Sequence, residues 1–573
     1  MTYTTSLTMH VSPGGTDTTN GGAFDAGVAG FATDGAATAA NTGSPVFTSA
    51  SYNFVAGDVG AWVFISAGTN WIPGWYKIAS VASNAATLTA SVGTATLFAF
   101  GLNTSAGCAT VASPTGATWS VDYSRQDAAQ VTYTDIVIDA TTNTKATSAA
   151  HPFTVNQIGN VISVSSGTGF TVQRAALVSI SGVTATFDRS LGTLGSTGGH
   201  AKLGGSVASP GDAAVIHQAA NGGGVGGSMT WIKYGASPYL CSSALVQAGG
   251  RWTAAGGTEA LPCYIRGYDV TPGDETANRP TFRWSINSAN TQLVSSSSAT
   301  ICENMILDGN YPTNTTNRGF AHSGNMCRLR HVKIVNCDAG AAVDSVSTTS
   351  FHLIDVEVTG CATNAAVNTQ NTTLVVLDGC NIHDNTIDGF VGNTTGPNRV
   401  FIHRCLFYNN ISAGAKSHVI LGGNSADAHC VIMHSVFYNS GSHAVDIQTN
   451  TVVALVNNIF ESNGGWAINT SSSGLHNFVT VMNNGFYSNT SGNYDTSKIS
   501  GLNILNNVLN TMGTFFVNAG SANFALNRLA NQGVTLFRAS FPTSLAGSPL
   551  SLNFADIGAT QHAAIESAFG GAF

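Results

Sequence analysis

Four segments of the chain share one pattern of side chains: VFIHRCLFYNN at 400–410, CVIMHSVFYNS at 430–440, VALVNNIFESN at 453–463 and VTVMNNGFYSN at 479–489. Each has a phenylalanine at its eighth position, which we take as the anchor of a repeat. Looser copies extend the repeat back to about Cys302, with successive anchors 23 to 30 residues apart. The anchors are Leu307, Ile334, Val358, Ile382, Phe407, Phe437, Phe460 and Phe486.

Counted back from the anchor, the apolar positions change from odd to even numbers within each repeat. The positions five and seven residues before the anchor are apolar, and so are the anchor and many residues two before it. Side chains alternate between the faces of a strand, so both sets can face inward only if the strand is broken between them. We therefore predict a corner three or four residues before each anchor. A second corner is predicted three residues after the anchor, where asparagine recurs: Asn310, Asn385, Asn410, Asn463 and Asn489.

A third short strand follows in most repeats, as at 444–447 and 466–468. Three short strands and three corners form one coil of a solenoid, stacked in parallel on the next coil at about 4.8 Å. The pattern thus predicts an all-β chain whose main element is a right-handed parallel β-helix with three strands per coil. It also predicts that Leu329, Leu353, Leu377 and Ile402 lie in one column.

The N-terminal third contains a different repeat, with an offset of 99 residues. Phe54 and Ile65, for example, match Phe153 and Val164. This duplication predicts two copies of a small β module before the helix. The expected domains are the first module at 1–100, its second copy at 101–205, the β-helix at 206–495 and a C-terminal cap or terminal coils at 496–573.

Composition excludes several classes of function. Only 9% of the 573 residues are charged, the net charge is −8 and there is no basic run, so nucleic acid is not an expected partner. No apolar run is long enough to cross a bilayer, and residues 1–11 lack the features of a secretory signal, so we expect synthesis in a cytoplasm without membrane insertion. The ten cysteines lack zinc-site spacing and are interpreted as buried thiols, with no metal and no cofactor.

Three further stretches are similar to segments of a known family. They are the GGAF and FDAG turns at 21–27, the segment from Ile265 to Thr281 and the closing residues 516–518, 523–524, 547–549 and 556–559. Together with the repeat they resemble the pectate-lyase-like β-helix proteins, most closely the tailspikes of tailed phages and related surface proteins. A long insertion between Leu526 and Gly547 departs from the usual closing pattern. The resemblance implies a homotrimeric virion protein that meets a host surface polysaccharide, with the first module as a candidate attachment point.

Charged residues cluster on one corner of the repeat. His331 and Asp355 occupy equivalent positions on adjacent coils, as do Lys333 and Glu357, so each pair should face across about 5 Å. One interpretation, suggested by the resemblance to polysaccharide lyases, is a glycan cleft in which Asp355 and Glu357 act as acid and base beside cationic residues. The catalytic candidates are Asp355, Glu357, Lys333, His331, Arg330 and Asp378. The alternative is a ladder of solvated ion pairs between coils.

A second outward column, one residue after the anchor, contains His383, Tyr408, Tyr438 and Tyr487. Aromatic rings beside polar groups suit the binding of sugars. Tyrosine is also a good strand former, and these rings could instead pack against neighbouring coils or another subunit. The carbohydrate-binding candidates are Tyr408, Tyr438, Tyr487, His383 and Arg404.

Three functions remain open from the sequence. The first is a tailspike-like virion protein, assembled in the host cytoplasm and acting at the host cell surface, that binds a polysaccharide, with cleavage as an open alternative. The second is a stand-alone bacterial polysaccharide lyase or glycosidase. The third is a structural virion protein, such as a capsid decoration or fibre, without sugar chemistry.

Overall fold

The computed structural model describes residues 8–14, 29–37, 46–69, 71, 74–91, 115–122, 128–208, 227, 229–241, 252–254, 262–285, 292–296, 299–310, 318–322, 324, 326–343, 348–363, 365–369, 372–392, 399–411, 416–422, 428–448, 451–470, 478–495, 497, 502–505, 507–509, 515–521 and 523–526. Regular structure in these ranges is almost all β-strand, which confirms the all-β prediction. Within the same ranges, no helix has the length and apolar character needed to cross a bilayer.

Strand β1, Thr8–Val11, belongs to the solenoid, and two closed β-barrels follow it along the chain. The first barrel consists of β2 Ala29–Ala37, β3 Val46–Thr48, β4 Trp62–Thr69, β5 Gly74–Ala82, β6 Ala85–Ser91 and β7 Thr115–Asp122. The second consists of β8 Val131–Ile138, β9 Lys145–Thr147, β10 Val161–Ser166, β11 Gln173–Ser181, β12 Thr184–Phe187 and β13 Gly199–Leu203.

The barrels confirm the predicted duplication. Short 3-10 helices at Ala56–Asp58 and Val155–Gln157 lie 99 residues apart. Gly60 and Gly159, two residues after these helices, have φ angles of 88° and 89°, a conformation that glycine adopts without a Cβ clash. The first barrel extends beyond the predicted boundary at residue 100, because β7 pairs with both β2 and β4 to close it.

The solenoid follows the second barrel and contains two sheets of parallel strands in the described ranges. Its larger sheet comprises β1, β14 Ser206–Val207, β15 Met229–Lys233, β16 Tyr239–Cys241, β18 Cys263–Tyr268, β19 Thr281–Trp284, β21 Thr300–Asp308, β23 Met326–Val335, β25 Thr348–Ile354, β26 Glu357–Thr359, β28 Thr372–Asp378, β29 Asn381–His383, β31 Arg399–His403, β32 Leu406–Tyr408, β34 Ala428–Met433, β35 Val436–Tyr438, β37 Thr451–Val456, β38 Ile459–Glu461, β40 Phe478–Met482, β41 Gly485–Tyr487, β43 Leu502–Leu505 and β44 Val508–Leu509. Its smaller sheet comprises β17 Trp252–Ala254, β20 Gln292–Ser296, β22 Arg318–His322, β24 Ala339–Val343, β27 Val367–Thr369, β30 Phe390–Gly392, β33 Val419–Leu421, β36 Val445–Ile447, β39 Trp466–Asn469 and β42 Gly492–Tyr494.

Both predicted corners are present. His331, Asp355 and Arg404, each three residues before an anchor, have left-handed φ angles of 50°, 50° and 51°. This conformation turns the backbone between a long strand and the short strand that contains the anchor. At the second corner the left-handed residue lies two residues after the anchor, as at Asp384 and Asn409, and the recurrent asparagine comes next.

The predicted columns form the core. Leu329 lies opposite Leu353, Leu353 opposite Leu377 and Leu377 opposite Ile402, all fully buried. A second column is a stack of phenylalanine rings with centroids 5.0 to 5.2 Å apart and planes within 9° of parallel. Its members are Phe407, Phe437, Phe460 and Phe486. The cysteines in the described ranges are free thiols, buried except for Cys241, as predicted.

The second corner is held by an asparagine ladder. Asn385 donates a hydrogen bond through Nδ2 to Oδ1 of Asn410 at 2.8 Å, and Asn463 does the same to Asn489. Asn385 also donates to the carbonyl oxygen of Val358 on the preceding coil. These buried amides thus satisfy backbone groups that the turn leaves without strand partners.

The start of the solenoid has a feature that the sequence did not predict. Strand β1 pairs in parallel with β14 and β15. The first barrel also packs on the outside of the first coils, where Trp62 and Trp75 join an apolar cluster with Trp231 and Tyr264.

The C-terminal part contains a further coil and then a hairpin. Strands β43 and β44 continue the larger sheet beyond residue 495. Strands β45 Phe516–Asn518 and β46 Asn523–Leu526 then pair antiparallel around a 3-10 turn at Ala519–Ser521, and we call these elements, together with Phe515, the C-terminal hairpin. The hairpin lies on the side of the solenoid, so it is not the terminal coil that the resemblance implied for 516–518 and 523–524. Residues 21–27 and 527–573, with the closing motifs at 547–549 and 556–559, lie outside the described residues.

Candidate functional site

One side of the solenoid is built from the short strands between the first two corners, among them β26, β29, β32 and β35. We call the outward surface of these strands, with the flanking corner residues, the narrow face. The anchor points into the core, so the residues one before and one after it point outward. Most of the sequence-predicted candidates lie on this face.

At the first corner, His331 lies between two carboxylates. Its Nε2 is 3.3 Å from Oδ2 of Asp355, as the pairing of adjacent coils predicted, and its Nδ1 is 3.4 Å from Oε2 of Glu275. Hydrogen bonds to Asp355 and then Glu275 raise the pKa of His331 to about 9, so the ring is a cation at neutral pH.

Glu275 is a member of this cluster that sequence reasoning missed. It also accepts hydrogen bonds from Arg330 at 2.7 and 3.1 Å, and the hydrogen bond from His331 contributes most to holding its pKa well below the usual range. Glu275 lies in the connection between β18 and β19, outside the repeat that identified the other candidates. The coil-to-coil pattern therefore had no position that could point to it.

The second predicted pair also forms. Lys333 donates a hydrogen bond through Nζ to Oε1 of Glu357 at 2.7 Å, and Nε2 of His383 lies 3.3 Å from the same oxygen. The hydrogen bond from His383, followed by that from Lys333, lowers the pKa of Glu357 to about 2. Nδ1 of His383 is 2.7 Å from Oδ2 of Asp384. His383 therefore connects Glu357 on one coil to Asp384 on its own coil.

Asp378 is the last residue of the long strand β28. Its Oδ1 accepts hydrogen bonds from Nδ1 of His403 at 2.8 Å and from Nε of Arg404 at 2.9 Å. Burial raises the pKa of Asp378, but these two hydrogen bonds outweigh it and leave the pKa lower than usual. Arg404, a carbohydrate-binding candidate, therefore neutralises the charge of Asp378, a catalytic candidate.

The tyrosine column lies largely beneath the C-terminal hairpin. Tyr408, only 7% exposed, belongs to an apolar cluster with Phe515 and Phe516, and Tyr438 and Tyr487 pack against it. Phe516 contacts Tyr438 edge-to-face at 6.5 Å, and Phe515 contacts Tyr487 at 6.4 Å. Much of this column is therefore covered by the C-terminal segment of the same chain, which is neither a neighbouring coil nor another subunit.

A cleft of about 430 Å³ lies beside the turn of the hairpin, at the second corner of three successive coils. Its lining is Asp384, Asn385, Thr386, Asn409, Ile411, Tyr438, Asn439 and Gly520. Asn439 donates a hydrogen bond to Oδ1 of Asn409 at 2.8 Å, and Asn409 donates to Oδ1 of Asp384 at 3.1 Å. Sequence reasoning missed Asn409 and Asn439, although the column two residues after the anchor is polar in most repeats.

A buried hydrogen-bond chain connects two residues that line the cleft, Asn385 and Tyr438. Asn410 donates to Nδ1 of His418 at 2.9 Å, and Nε2 of His418 donates to the carbonyl oxygen of Tyr438 at 2.9 Å. Burial lowers the pKa of His418 to about 3, so the ring is neutral and can accept on one nitrogen while donating from the other. The backbone at Tyr438 is thereby tied to the asparagine ladder.

These contacts limit the chemistry of the narrow face. Hydrolysis of a glycosidic bond uses a carboxyl group that stays protonated near neutral pH because its pKa is raised. The pKa values of Glu275, Glu357 and Asp378 are lowered instead, so these groups act as counter-charges and hydrogen-bond acceptors. Among the described residues, no three His, Cys, Asp or Glu side chains converge in a way that could hold a metal ion.

No protein-family model matches the chain, and a search of curated proteins also finds no match. Solved structures do match it. A pectate lyase is 17% identical over 62% of this chain and 92% of its own, with a TM-score of 0.45. An alginate lyase from Paenibacillus is 12% identical over 50% and 96%, with a TM-score of 0.34. An α-1,3-glucanase from Streptomyces thermodiastaticus is 10% identical over 69% and 88%, with a TM-score of 0.31. These neighbours are polysaccharide lyases and a glucanase, and at this level of similarity the likeness concerns the fold alone.

Proposed function

We propose that this protein binds a polysaccharide in the cleft on its narrow face. The observation that carries the proposal is the row of Asp384, Asn409 and Asn439 on three successive coils, beside the ring of Tyr438. Carboxylate and amide groups accept and donate hydrogen bonds in the way that sugar hydroxyls require. An aromatic ring supplies apolar contact surface with a polar tip.

The repeat makes this row suited to a polymer. Adjacent coils are about 4.8 Å apart, so three equivalent side chains present similar groups over about 10 Å along the solenoid axis. The row is also rigid, because its residues sit in left-handed corner positions and hydrogen-bond to one another. A preorganised row of this kind loses little conformational entropy when a ligand binds.

Binding is favoured over hydrolysis by the state of the carboxylates. Glu357 and Asp378, two of the catalytic candidates, are ionised and paired with cationic or imidazole groups. Elimination from an acidic sugar needs a base and a cation, and Asp355 beside His331 and Lys333 beside Glu357 provide such groups. Cleavage by this route is therefore the second activity to assay.

We propose further that the protein is a tailspike-like component of a virion tail and that its ligand is a host surface polysaccharide. The support is the sequence resemblance of the β-helix to tailspikes and the two small β-barrels that precede all of the solenoid except strand β1. The first barrel is the candidate attachment module, because it is the N-terminal of the two.

A homotrimer is part of the same proposal. The long strands β28 and β34 carry the outward apolar residues Val376 and Val431, which are half-buried. Contact with other copies would remove this surface from water. Mass photometry of the full chain should give a trimer, and a monomer at all concentrations would contradict this part of the proposal.

The binding proposal is tested with the full chain on an array of bacterial surface polysaccharides, followed by calorimetry on any ligand found. Asp384→Asn and Asn409→Gly remove a charge and an amide without straining the left-handed backbone. We expect each to weaken binding about tenfold, the loss of one strong hydrogen bond. Asn336→Gly is the matched control, since Asn336 has the same corner position, with φ of 53°, on a coil outside the cleft.

Unchanged affinity in both cleft variants, or a loss of affinity in the control variant alone, would show that the binding site lies outside the cleft. The absence of binding to any polysaccharide would exclude the proposed function. Release of new reducing ends or of unsaturated sugars, measured on the same ligands, would add cleavage to binding. Immunogold labelling of native particles should mark the tail. Label on the capsid, or on no particle, would contradict the tail assignment.

A further inference from the structure

We propose that the sugar held in the cleft carries an acetamido group, which is an N-acetylated amine in place of one hydroxyl. This inference rests on the proposed function and names the chemical class of its ligand. It is carried by the combination of side chains that line the cleft: carboxamides, an exposed isoleucine and a carboxylate.

Ile411 supplies the apolar part of the cleft and is 47% exposed. Its backbone N–H donates a hydrogen bond to the carbonyl oxygen of Asn385 on the preceding coil at 3.0 Å, and the N–H of Gly441 donates in the same way to Asn410 at 3.1 Å. Gly441 therefore occupies the position of Ile411 on the next coil, and it has no side chain that could cover the isoleucine. An apolar surface is thus left open to a methyl group of a ligand.

The amides of Asn409 and Asn439 supply the polar part. Asn439 donates to Oδ1 of Asn409, and Asn409 donates to Oδ1 of Asp384, so both amides use one N–H group within the row. Each amide has a second N–H group, and among the described residues no donor reaches Oδ1 of Asn439. An acetamido group has one N–H donor and one carbonyl acceptor, which complement this oxygen and these N–H groups.

The charge of the cleft favours an uncharged sugar. Among the described residues of its lining, Asp384 is the only charged one, and its side chain is 52% exposed. Both carboxylate oxygens already accept hydrogen bonds, Oδ1 from Asn409 and Oδ2 from Nδ1 of His383. Asp384 would repel the carboxylate of a uronic acid. A free amine would be attracted by Asp384 but would lose water against Ile411, whereas an acetamido group is uncharged and ends in a methyl group.

The test uses the bacterial polysaccharide that binds the full chain most tightly on the array, in four forms. They are the native polymer, a form without O-acetyl groups after mild alkali, an N-deacetylated form, and that form after re-N-acetylation. We expect the native polymer to contain acetamido sugars and N-deacetylation to weaken binding at least tenfold in calorimetry. Re-N-acetylation should restore the affinity, and removal of O-acetyl groups alone should not change it.

Three results would overturn the inference while leaving the binding function intact. They are tight binding of a polymer without acetamido sugars, undiminished binding of the N-deacetylated form, and an equal loss after removal of O-acetyl groups alone. Failure of the unmodified protein to bind any polysaccharide would instead exclude the proposed function itself.

Ile411→Ser tests the contact with the methyl group, by comparison of the N-acetylated polymer with an N-formylated one that keeps the amide and lacks the methyl. We expect the variant to bind the N-acetylated polymer about fourfold more weakly, the effect of one buried methyl-sized group, and the N-formylated polymer as the wild type does. Ile504→Ser, at a 43% exposed position on β43, is the matched control and should bind both polymers normally. Equal effects of Ile411→Ser on both polymers would contradict the contact.

Discussion

The imidazole ring of His383 lies flat against the phenol ring of Tyr408, with centroids 4.5 Å apart and planes inclined by 4°. The two residues occupy one column on the adjacent strands β29 and β32. His383 contacts Glu357 and Asp384 on the accessible part of the narrow face, whereas Tyr408 packs into the cluster beneath the C-terminal hairpin. This stack therefore marks the boundary between the polar surface and the covered surface.

The phenylalanine column should dominate the stability of the solenoid. Phe437 is fully buried between Phe407 and Phe460, at 5.2 and 5.0 Å. Phe437→Ala removes both ring contacts and leaves a cavity, so we expect a loss of about 3 to 5 kcal/mol in the free energy of unfolding. Denaturant titration checks this, with the exposed Val178→Ala as control. A loss below about 1 kcal/mol would mean that the coils collapse into the cavity.

The two barrels should be coupled through a buried ion pair. Asp58 is fully buried and accepts hydrogen bonds from Nη2 of Arg189 at 3.0 Å and from the backbone N–H of Val55 at 2.8 Å. Asp58→Ala leaves these donors without the carboxylate, and we expect it to cost about 3 kcal/mol. In a double-mutant cycle with Arg189→Met, the double variant should lose about 1 to 3 kcal/mol less than the sum. Additive losses would show that the pair does not couple the barrels.

Stability should decline in mild alkali because of His331. Its pKa is raised from 6.5 to about 9 in the folded protein. The stabilising contribution of this group is therefore fully present below about pH 6.5 and is lost as the pH rises through about 9. His331→Gln should flatten this part of the profile of unfolding free energy against pH. Because the ring is partly exposed, added salt should reduce the effect. Identical wild-type and variant slopes would show that the ring is not held as a cation.

Stability should also decline in acid because of His418. Its folded pKa is lowered by burial from 6.5 to about 3, so the unfolded chain takes up a proton first as the pH falls. The contribution of the neutral ring is present above about pH 6.5 and is lost progressively toward pH 3. His418→Gln should be less stable at neutral pH, since its amide cannot reproduce both hydrogen bonds, yet its stability should fall less steeply in this window. A variant with the wild-type acid slope would contradict the assignment.

The candidate pairs show which side-chain contacts a sequence repeat can predict. Adjacent coils place equivalent positions side by side, so the contacts of His331 with Asp355 and of Lys333 with Glu357 followed from counting residues, and both are present. Glu275 is different, because it lies in a connection that has no counterpart in the next coil. Asn409 and Asn439, which line the cleft, belong to a column of polar residues that can be recognised in the sequence. Corner geometry alone explains polar residues at this position, so the column did not indicate a binding site.

Local patterns along the chain were sufficient for the β-helix, its corners, its stacked columns and the duplicated barrels, because each depends on contacts between residues at a constant spacing. The covering of the tyrosine column by Phe515 and Phe516, and the cleft beside this cover, depend on no such constant spacing. They arise where a non-repeating segment folds back on the solenoid, and the choice of surface depends on which outward apolar side chains, such as Val436 and Ile459, gain most from leaving water. The surface that gains most depends on all outward side chains of the solenoid, so the position of this segment is decided only in the folded chain.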